Sequence, residues 1–199
     1  VSTADGQTYE RAAIQSWLER SETSPATGAQ LPSKTLIPNI ALRQSIEEWE
    51  EAWSHSIAVN VKAPARLLRH AVRSWLRAEK TGSIISIGSW VTTRGTSNPG
   101  AIAYAASKAA IAAATKTVAR NYANRGILAF VIAPGVVRTQ MSIESAAKTG
   151  GEQAVTATLP MGEWIPPSEI ADTVVFLAEG RARHLTGATI DLNGAAYIR

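Results

Sequence analysis

Apolar residues near the start of the chain recur at the spacing of a helix. Tyr9 and Trp17 lie about two turns apart on one face, so the pattern predicts a helix over residues 8–20. Thr8 or Asp5 is available to cap its first turn.

A loop and a second helix follow. Residues 21–38 are rich in Ser, Thr, Pro and Gly, a composition typical of a loop. Asn39 can cap the helix that begins there, and Leu42, Ile46 and Trp49 recur along one face of it.

The rest of the chain alternates helical and extended patterns. The helical pattern continues from residue 50 to about residue 78, and the apolar run over residues 83–88 predicts a buried strand. The predicted order then continues with a helix over 103–124, a strand over 128–133, a loop to about 167, a helix over 168–178 and a strand over 188–192. Strands that alternate with helices in this way indicate parallel βα units.

Composition excludes several classes of protein. The chain is 45% hydrophobic and 18% charged, which is typical of a globular protein. No apolar run approaches the roughly 18–20 residues of a membrane span, and there is no signal-peptide pattern, so we expect a cytoplasmic protein that does not bind a membrane. The absence of Cys excludes disulfides, thiol catalysis and Cys-based zinc sites. The three His residues are too scattered for a metal site.

Charge is unevenly distributed along the chain. Residues 1–50 carry seven acids against four bases, a net of −3, although the whole chain carries +4. Basic residues then recur at helical spacing at Lys62, Arg66, Arg69, Arg73 and Arg77. A surface for nucleic acid or an acidic partner is one interpretation. A solvated helix face is favoured, because no stacking aromatic residues are interleaved, and no nucleic-acid partner is expected.

The sharpest chemical feature is the pair Tyr104 and Lys108, four residues apart in a predicted helix. Side chains at this spacing share a face, so the phenol and the ammonium point into one site. A phenol is a poor acid–base group at neutral pH unless a nearby cation stabilises its phenolate. Ser89, just after a predicted strand, is placed to hold a substrate oxygen against the phenol. Alone, the pair is equally consistent with a chance arrangement on a helix.

Further motifs surround this pair in a characteristic order: AVNVKA at 58–63, GSIISIGS at 82–89, PGVVRT at 134–139, LTGA at 185–188 and DLNGA at 191–195. Together with Tyr104 and Lys108 they resemble the second half of the short-chain dehydrogenase/reductase family. The resemblance covers residues 50–199. It implies hydride transfer between NAD or NADP and a small-molecule carbonyl or alcohol substrate.

The resemblance also implies residue roles. Tyr104 would be the general acid/base, and Lys108 would bind the nicotinamide ribose and stabilise the phenolate. Ser89 would bind the substrate oxygen, and Asn60 would anchor a water that relays protons to Lys108. The alternative for Asn60 is a polar residue that a helix kink satisfies.

The nicotinamide would be held by the pair already named and by four residues after the second strand. The implied cofactor contacts are Tyr104, Lys108, the backbone of Pro134, Gly135 and Val137, and the Thr139 hydroxyl. An ordinary loop hydroxyl is the alternative for Thr139.

The sequence departs from the family pattern in two small ways and one large one. Phe130 stands where Asn is usual, and Asn193-Gly194-Ala195 replaces the commoner Asp-Gly-Gly. The Gly-rich turn that binds pyrophosphate through backbone N–H groups has no counterpart, since the only glycines before Gly82 are Gly6 and Gly28. The resemblance therefore implies only the last three strands of the family's sheet, with the first of them at an exposed edge.

The front of the chain carries another set of motifs: GQTYER at 6–11, SPATG at 24–28 and LIPNIALR at 36–43. These resemble the U-box, a zinc-free relative of the RING finger that recruits a ubiquitin-conjugating enzyme. Relative to that family the segment is truncated, because the opening loop that touches the conjugating enzyme would precede Val1. Gln30 also stands where many members have Pro.

The predicted fold class is α/β: a partial Rossmann-like parallel sheet of three strands with flanking helices, preceded by a small, mostly helical U-box-like fragment. The predicted domains are residues 1–49 and 50–199. Three functions stay open at this point: an oxidoreductase, a ubiquitin-ligase module, or an inert chimera of two half-domains. A homo-oligomer is expected, because the helices over 51–78 and 103–124 commonly form the subunit interface in the resembled family.

Overall fold

The computed structural model describes residues 1–198, except for the side chain of Pro99. The chain divides into two compact units, residues 1–51 and residues 52 onward. The sequence predicts this boundary between residues 49 and 50.

The first helix of the first unit, α1, spans Arg11–Leu18 and is shorter than predicted. Its N-cap is Glu10, whose carboxylate accepts the backbone N–H of Ala13 at 3.0 Å. The prediction of a cap at Thr8 or Asp5 was therefore wrong. Glu10 has the extended backbone that a cap position requires.

The loop after α1 is fixed by hydrogen bonds over a small apolar core. Ile14 and Leu18 are buried together with Leu31. The Tyr9 hydroxyl lies 3.1 Å from that of Ser24 and accepts the backbone N–H of Ala26 at 3.2 Å. Hydrogen bonds hold this loop in place, and no group of acidic residues or His in the described part of the chain could hold a metal ion.

Helix α2 spans Ile40–Ile57, and Asn39 caps it as predicted. The Asn39 amide oxygen accepts the backbone N–H of Leu42 at 3.0 Å. A π-helical turn, Ala58–Lys62, and then α3, Ala63–Arg77, continue the helical segment. The predicted helix over residues 50–78 is thus interrupted.

Asn60 lies at the centre of this π turn, and the sequence explains why the turn widens there. Pro64 has no N–H, so it cannot donate the bond that an α-helix would direct to the Asn60 carbonyl. Just before Pro64, the Ala63 N–H donates to the Ala58 carbonyl, five residues earlier, where an α-helix would use the carbonyl four residues earlier. Single π turns of this kind are frequent at functional sites.

The second unit contains a parallel sheet of three strands within the described residues. The strands are β1, Gly82–Ile87, β2, Ile127–Pro134, and β3, Thr189–Leu192. Their order is β1-β2-β3, so β2 is central and β1 lies at an edge. The edge position of β1 was predicted.

Five α-helices follow β1 in the described part of the chain. They are α4, Val91–Arg94; α5, Ile102–Tyr122; α6, Gln140–Ala147; α7, Gly151–Thr156; and α8, Pro167–Ala178. The loop predicted up to residue 167 was wrong, because it contains α6 and α7. Both are short, and the positive φ of Gly150 separates them, so neither gives a clear periodic pattern.

Strand β2 is buried at all eight positions and forms the core of the second unit. On one face Ile127 and Ala129 pack with residues of α3 and α5, among them Leu68 and Ile111. On the opposite face Leu128, Phe130 and Ile132 pack with Leu177 of α8. Successive side chains of a strand point to opposite faces, so the sheet is covered on both sides and the α/β prediction is confirmed.

The basic residues predicted to form a stripe on α3 are exposed, as either a solvated helix face or a binding surface would require. Lys62 of the π turn and the four arginines are all exposed: Arg66, Arg69, Arg73 and Arg77. Within residues 1–198, no helix is long and apolar enough to cross a membrane.

The end of β1 approaches β2 so closely that only glycine fits there. The Gly88 N–H donates to the Ile132 carbonyl at 2.7 Å. A Cβ atom at Gly88 would lie 2.9 Å from the Val131 Cγ1 atom and 3.3 Å from the Ile132 carbonyl oxygen. Ser89 follows directly, so this contact fixes where its hydroxyl lies.

We predict that Gly88→Ala lowers the free energy of unfolding by about 1–3 kcal/mol, because the added methyl group overpacks a buried strand end. Denaturant unfolding with matched m-values would measure it. Gly100→Ala is the control, since its Cβ would meet only the flexible Asn98 side chain, at 3.3 Å. Equal losses for the two variants would contradict the close-approach explanation.

Candidate active site

The carboxyl ends of the three parallel strands meet at one edge of the sheet and are tied together there. The Trp90 N–H donates to the Pro134 carbonyl at 3.1 Å, and the Gly135 N–H donates to the Leu192 carbonyl at 2.9 Å. Ligands of open α/β sheets bind outside such carboxyl ends. This edge carries Ser89 from β1 and the 134–139 segment from β2.

Helix α5 brings Tyr104 and Lys108 together, as their spacing predicts. The Lys108 ammonium lies 5.7 Å from the centroid of the Tyr104 ring, at the outer range of a cation–π contact. It also donates to the Ile87 carbonyl at the end of β1, at 3.0 Å. Burial lowers the pKa of the Lys108 ammonium below its usual value of 10.5, because desolvation disfavours the charged form.

Asn60 is linked to Tyr104 through a side chain for which we made no prediction. The Asn60 amide donates to the Ser107 hydroxyl at 3.1 Å, and that hydroxyl donates to the Tyr104 carbonyl at 2.8 Å. Ser107 is fully buried. The π turn therefore contacts the first turn of α5 through a two-bond chain. Ser107 lies within the Tyr-Ala-Ala-Ser-Lys motif, and this position is the only feature of the sequence that could have pointed to its role.

Ser89 and Tyr104 line the same cavity, which has a volume of about 380 Å³. Ser89 is buried, and its hydroxyl oxygen lies 3.4 Å from the Val91 backbone N–H. The other lining residues are Trp90, Val91, Val136, Met141, Ser142, Ser145, Ala146, Thr149, Val155 and Trp164. The cavity thus brings together a hydroxyl and a phenol beside apolar walls, an arrangement that can bind and protonate a carbonyl oxygen.

Asn60 and Lys108 line a second cavity, which runs along β1 and also has a volume of about 380 Å³. The four residues predicted to be catalytic are therefore shared between two cavities. The Lys108–Tyr104 contact and the Ser107 bridge connect the two pairs.

The four residues expected to hold nicotinamide after β2 are engaged with the protein itself. Pro134 and Gly135 take part in the strand-end hydrogen bonds described above, and the Val137 carbonyl accepts the Thr139 N–H at 2.9 Å. The Thr139 hydroxyl caps α6 by accepting the Ser142 N–H at 3.3 Å. Among the residues that the structure describes, none of these four lines the cavity of Ser89 and Tyr104. Their cofactor roles stay predictions.

Most of the cavity wall lies outside the predicted site. Trp90 directly follows Ser89, and Met141, Ser142 and Ser145 lie on α6, in a segment predicted to be a loop. Trp164 is a large apolar residue in that segment, and it is 8% exposed. A buried tryptophan in a predicted loop was the one available signal that the segment packs over a site.

The residues present fit the nicotinamide end of a dinucleotide better than its phosphates. An ammonium group has three N–H donors, and Lys108 gives one to Ile87, which leaves donors for sugar hydroxyl oxygens. Nothing in the sequence corresponds to a Gly-rich phosphate turn.

Two family models match parts of the chain. Residues 1–55 match the family model of the U-box domain. Residues 35–194 match the family model described as Enoyl-(Acyl carrier protein) reductase. The second match covers most of the chain and overlaps the first over α2.

Curated relatives point to the same family as the second match. The chain is 37% identical over 149 residues to a 3-oxoacyl-[acyl-carrier-protein] reductase FabG of Vibrio cholerae, an alignment that covers 75% of this chain and 59% of the relative. The chain thus spans about three-fifths of the length of the curated relatives it matches.

Solved structures share the fold. A putative 2-deoxy-d-gluconate 3-dehydrogenase from Agrobacterium tumefaciens, with bound NADP, superposes with a TM-score of 0.65 at 27% identity, over 72% of this chain and 58% of the other. A 4-hydroxyisoleucine dehydrogenase in complex with NADH gives a TM-score of 0.62 at 28% identity, over 69% and 56%. Both the sequence matches and the parallel sheet lead to one conclusion: the chain belongs to the short-chain dehydrogenase/reductase family.

Proposed function

We propose that this chain carries the proton-transfer and substrate-binding part of an oxidoreductase that moves a hydride between NAD or NADP and a carbonyl or alcohol. The observation that carries the proposal is the cavity lined by both Ser89 and Tyr104, with the Lys108 ammonium against the phenol ring. A hydroxyl donor, a phenol and a cation at one strand edge are the groups that carbonyl reduction needs.

The comparisons support the same reaction class. One matching structure holds NADP and another NADH, and the curated relatives are named as reductases. The named relatives differ in substrate, so they support the chemistry and leave the choice between NAD and NADP open.

Each residue has a defined part in the proposed step. When bound, a reduced nicotinamide would supply the hydride that the carbonyl carbon accepts. The Tyr104 phenol donates its proton to the carbonyl oxygen, which becomes a hydroxyl, while the Ser89 hydroxyl holds that oxygen by a hydrogen bond. The Lys108 ammonium stabilises the resulting phenolate, which then regains a proton from solvent.

Asn60 contributes to this step by holding the backbone of Tyr104 in place through Ser107. Its amide holds Ser107, and Ser107 holds the backbone carbonyl of Tyr104, so the phenol is presented from a fixed first turn of α5. The Ser107 hydroxyl is buried and gives its one proton to the Tyr104 carbonyl, so it serves to position that turn.

Self-association belongs to the same proposal. Leu67 on α3 and Ile102 on α5 are 70% and 51% exposed, so both helices present apolar surface that a second copy can cover. We propose that α3 and α5 lie at this interface.

A second function is favoured by the U-box match. We propose that residues 8–40 dock a ubiquitin-conjugating enzyme, because hydrogen bonds of the Tyr9 hydroxyl and the bond from Lys34 to the Leu18 carbonyl, at 3.0 Å, hold the loop after α1. A fixed loop presents a partner surface without an ordering cost on binding.

Replacing Tyr104 by Phe should lower carbonyl reduction by about 100-fold or more, because the proton donor is lost while the ring remains. NADPH and NADH oxidation at millimolar cofactor, with a panel of ketones, would measure it. Tyr122→Phe is the matched control, since Tyr122 lies on the same helix and packs in the core. Undetectable cofactor binding by NMR at millimolar concentration would refute the function.

The pKa of Lys108 should show in the pH dependence of stability. Its pKa is lowered in the folded state from the usual 10.5, so the unfolded chain binds more protons between the two values. This contribution to the free energy of unfolding therefore rises with pH through that interval. NMR titration of the lysine side chain, assigned with Lys108→Met, should give a midpoint below 10.5. A midpoint at or above that value contradicts the burial argument.

Ubiquitin transfer should depend on the loop that Tyr9 holds. Tyr9→Phe removes two hydrogen bonds to residues of the loop, so autoubiquitination with a responsive conjugating enzyme should fall several-fold. Tyr122→Phe again serves as control. Silence of the unaltered chain with every conjugating enzyme of a broad panel would reject this second function.

A further inference from the structure

We propose that the cavity of Ser89 and Tyr104 selects an uncharged ketone or secondary alcohol with largely apolar substituents, and rejects a carboxylate beside the reacting carbon. The inference rests on the proposed function for the identity of the reacting group. It goes beyond that function because it specifies the substrate's charge and polarity.

The wall of the cavity carries no ionised side chain among the residues that the structure describes there. Apolar side chains supply most of its area: Trp90, Val91, Val136, Met141, Ala146, Val155 and Trp164. Hydroxyl groups supply the polar contacts: Ser89, Tyr104, Ser142, Ser145 and Thr149. Hydroxyls can donate to a carbonyl oxygen, but they leave a carboxylate without a counter-ion.

The cations close to the wall in sequence do not line the cavity. Lys148 is exposed to solvent and is absent from the lining. The Arg94 guanidinium lies over the Trp90 ring, 4.4 Å from its centroid. Arg138 pairs with Glu152 at 3.0 Å, and Lys108 donates to a strand carbonyl. None of these cations lines the cavity in the described chain.

The apolar wall is also held in place. The Trp164 indole N–H donates to the Thr156 hydroxyl at 2.8 Å, and that hydroxyl donates to the Glu152 carbonyl at 2.8 Å. The indole N–H of Trp164 therefore has its hydrogen-bond partner within the protein. The rest of this buried ring offers a substrate only apolar surface.

An anion in this cavity would lose water without gaining a partner. Burying an ionised carboxylate without a counter-ion costs far more than burying a neutral ester of the same shape. Apolar substituents, by contrast, are stabilised when they leave water and pack against Trp90 and Trp164.

A matched set of ligands tests the charge selection. Phenylpyruvate and its methyl ester differ by one negative charge and one methyl group, and methyl pyruvate lacks the phenyl ring. We expect the methyl ester of phenylpyruvate to bind at least about tenfold more tightly than phenylpyruvate, and more tightly than methyl pyruvate. Dissociation constants from NMR titration of the full chain, without and with NADPH, would measure this.

A single added cation should change the selection. Met141 lines the cavity and is 70% exposed, so Met141→Arg places a guanidinium at its mouth without disturbing the core. This variant should raise the affinity for phenylpyruvate, relative to that for its methyl ester, about tenfold. Met161→Arg is the matched control, because Met161 is 64% exposed and lies outside this cavity.

The outcomes separate the inference from the function on which it rests. Equal affinity for acid and ester, binding of neither, or equal effects of the two Arg variants would overturn the inference. Selective binding of the ester, with no cofactor oxidation by any ketone, would support the inference and refute hydride transfer. Turnover of the acid as fast as the ester would support hydride transfer and overturn the inference.

Discussion

The pairing of β1 with β2 at their carboxyl ends is the contact on which the candidate site depends. Gly88 allows the two backbones to approach until its N–H meets the Ile132 carbonyl at 2.7 Å. Because β2 is buried along its whole length, it cannot shift to accommodate a change at this point. Ser89 follows Gly88, Trp90 ties back to Pro134, and the cavity is built outward from these two bonds.

The site combines a half-buried cation with an uncharged substrate wall. Lys108 pays a desolvation cost for its place near the phenol ring, and one strand carbonyl partly offsets that cost. The neighbouring cavity is lined by hydroxyls and apolar side chains, so no other fixed charge in that lining competes with the field of the ammonium at the phenol. This separation of charge and substrate surface suits proton transfer to a neutral carbonyl.

Sequence reasoning predicted the parts of this structure that depend on local periodicity. The strands and α5 followed from apolar runs and from the Ala-rich pattern, and the spacing of Tyr104 and Lys108 placed both on one face. It did not predict α6 and α7, since both are short and their contacts come from distant residues such as Trp164. Ser107 was missed for a similar reason, because its partner Asn60 is 47 residues away. Glu10 was missed as a cap, since Ser, Thr and Asp are the usual candidates and tertiary bridges engage Ser2 and Thr8.

The bond from Lys108 to Ile87 has a consequence for the open edge of the sheet. Gly82 and Gly88 direct their backbone groups toward β2, so the alternation of a strand turns those of Ile87 outward. The ammonium therefore occupies the last outward carbonyl of β1. A further strand that paired with β1 would have to displace this charged donor at the end of β1. Lysines at a sheet edge are known to oppose such added pairing. The residue proposed for catalysis thus also hydrogen-bonds the exposed edge of the sheet.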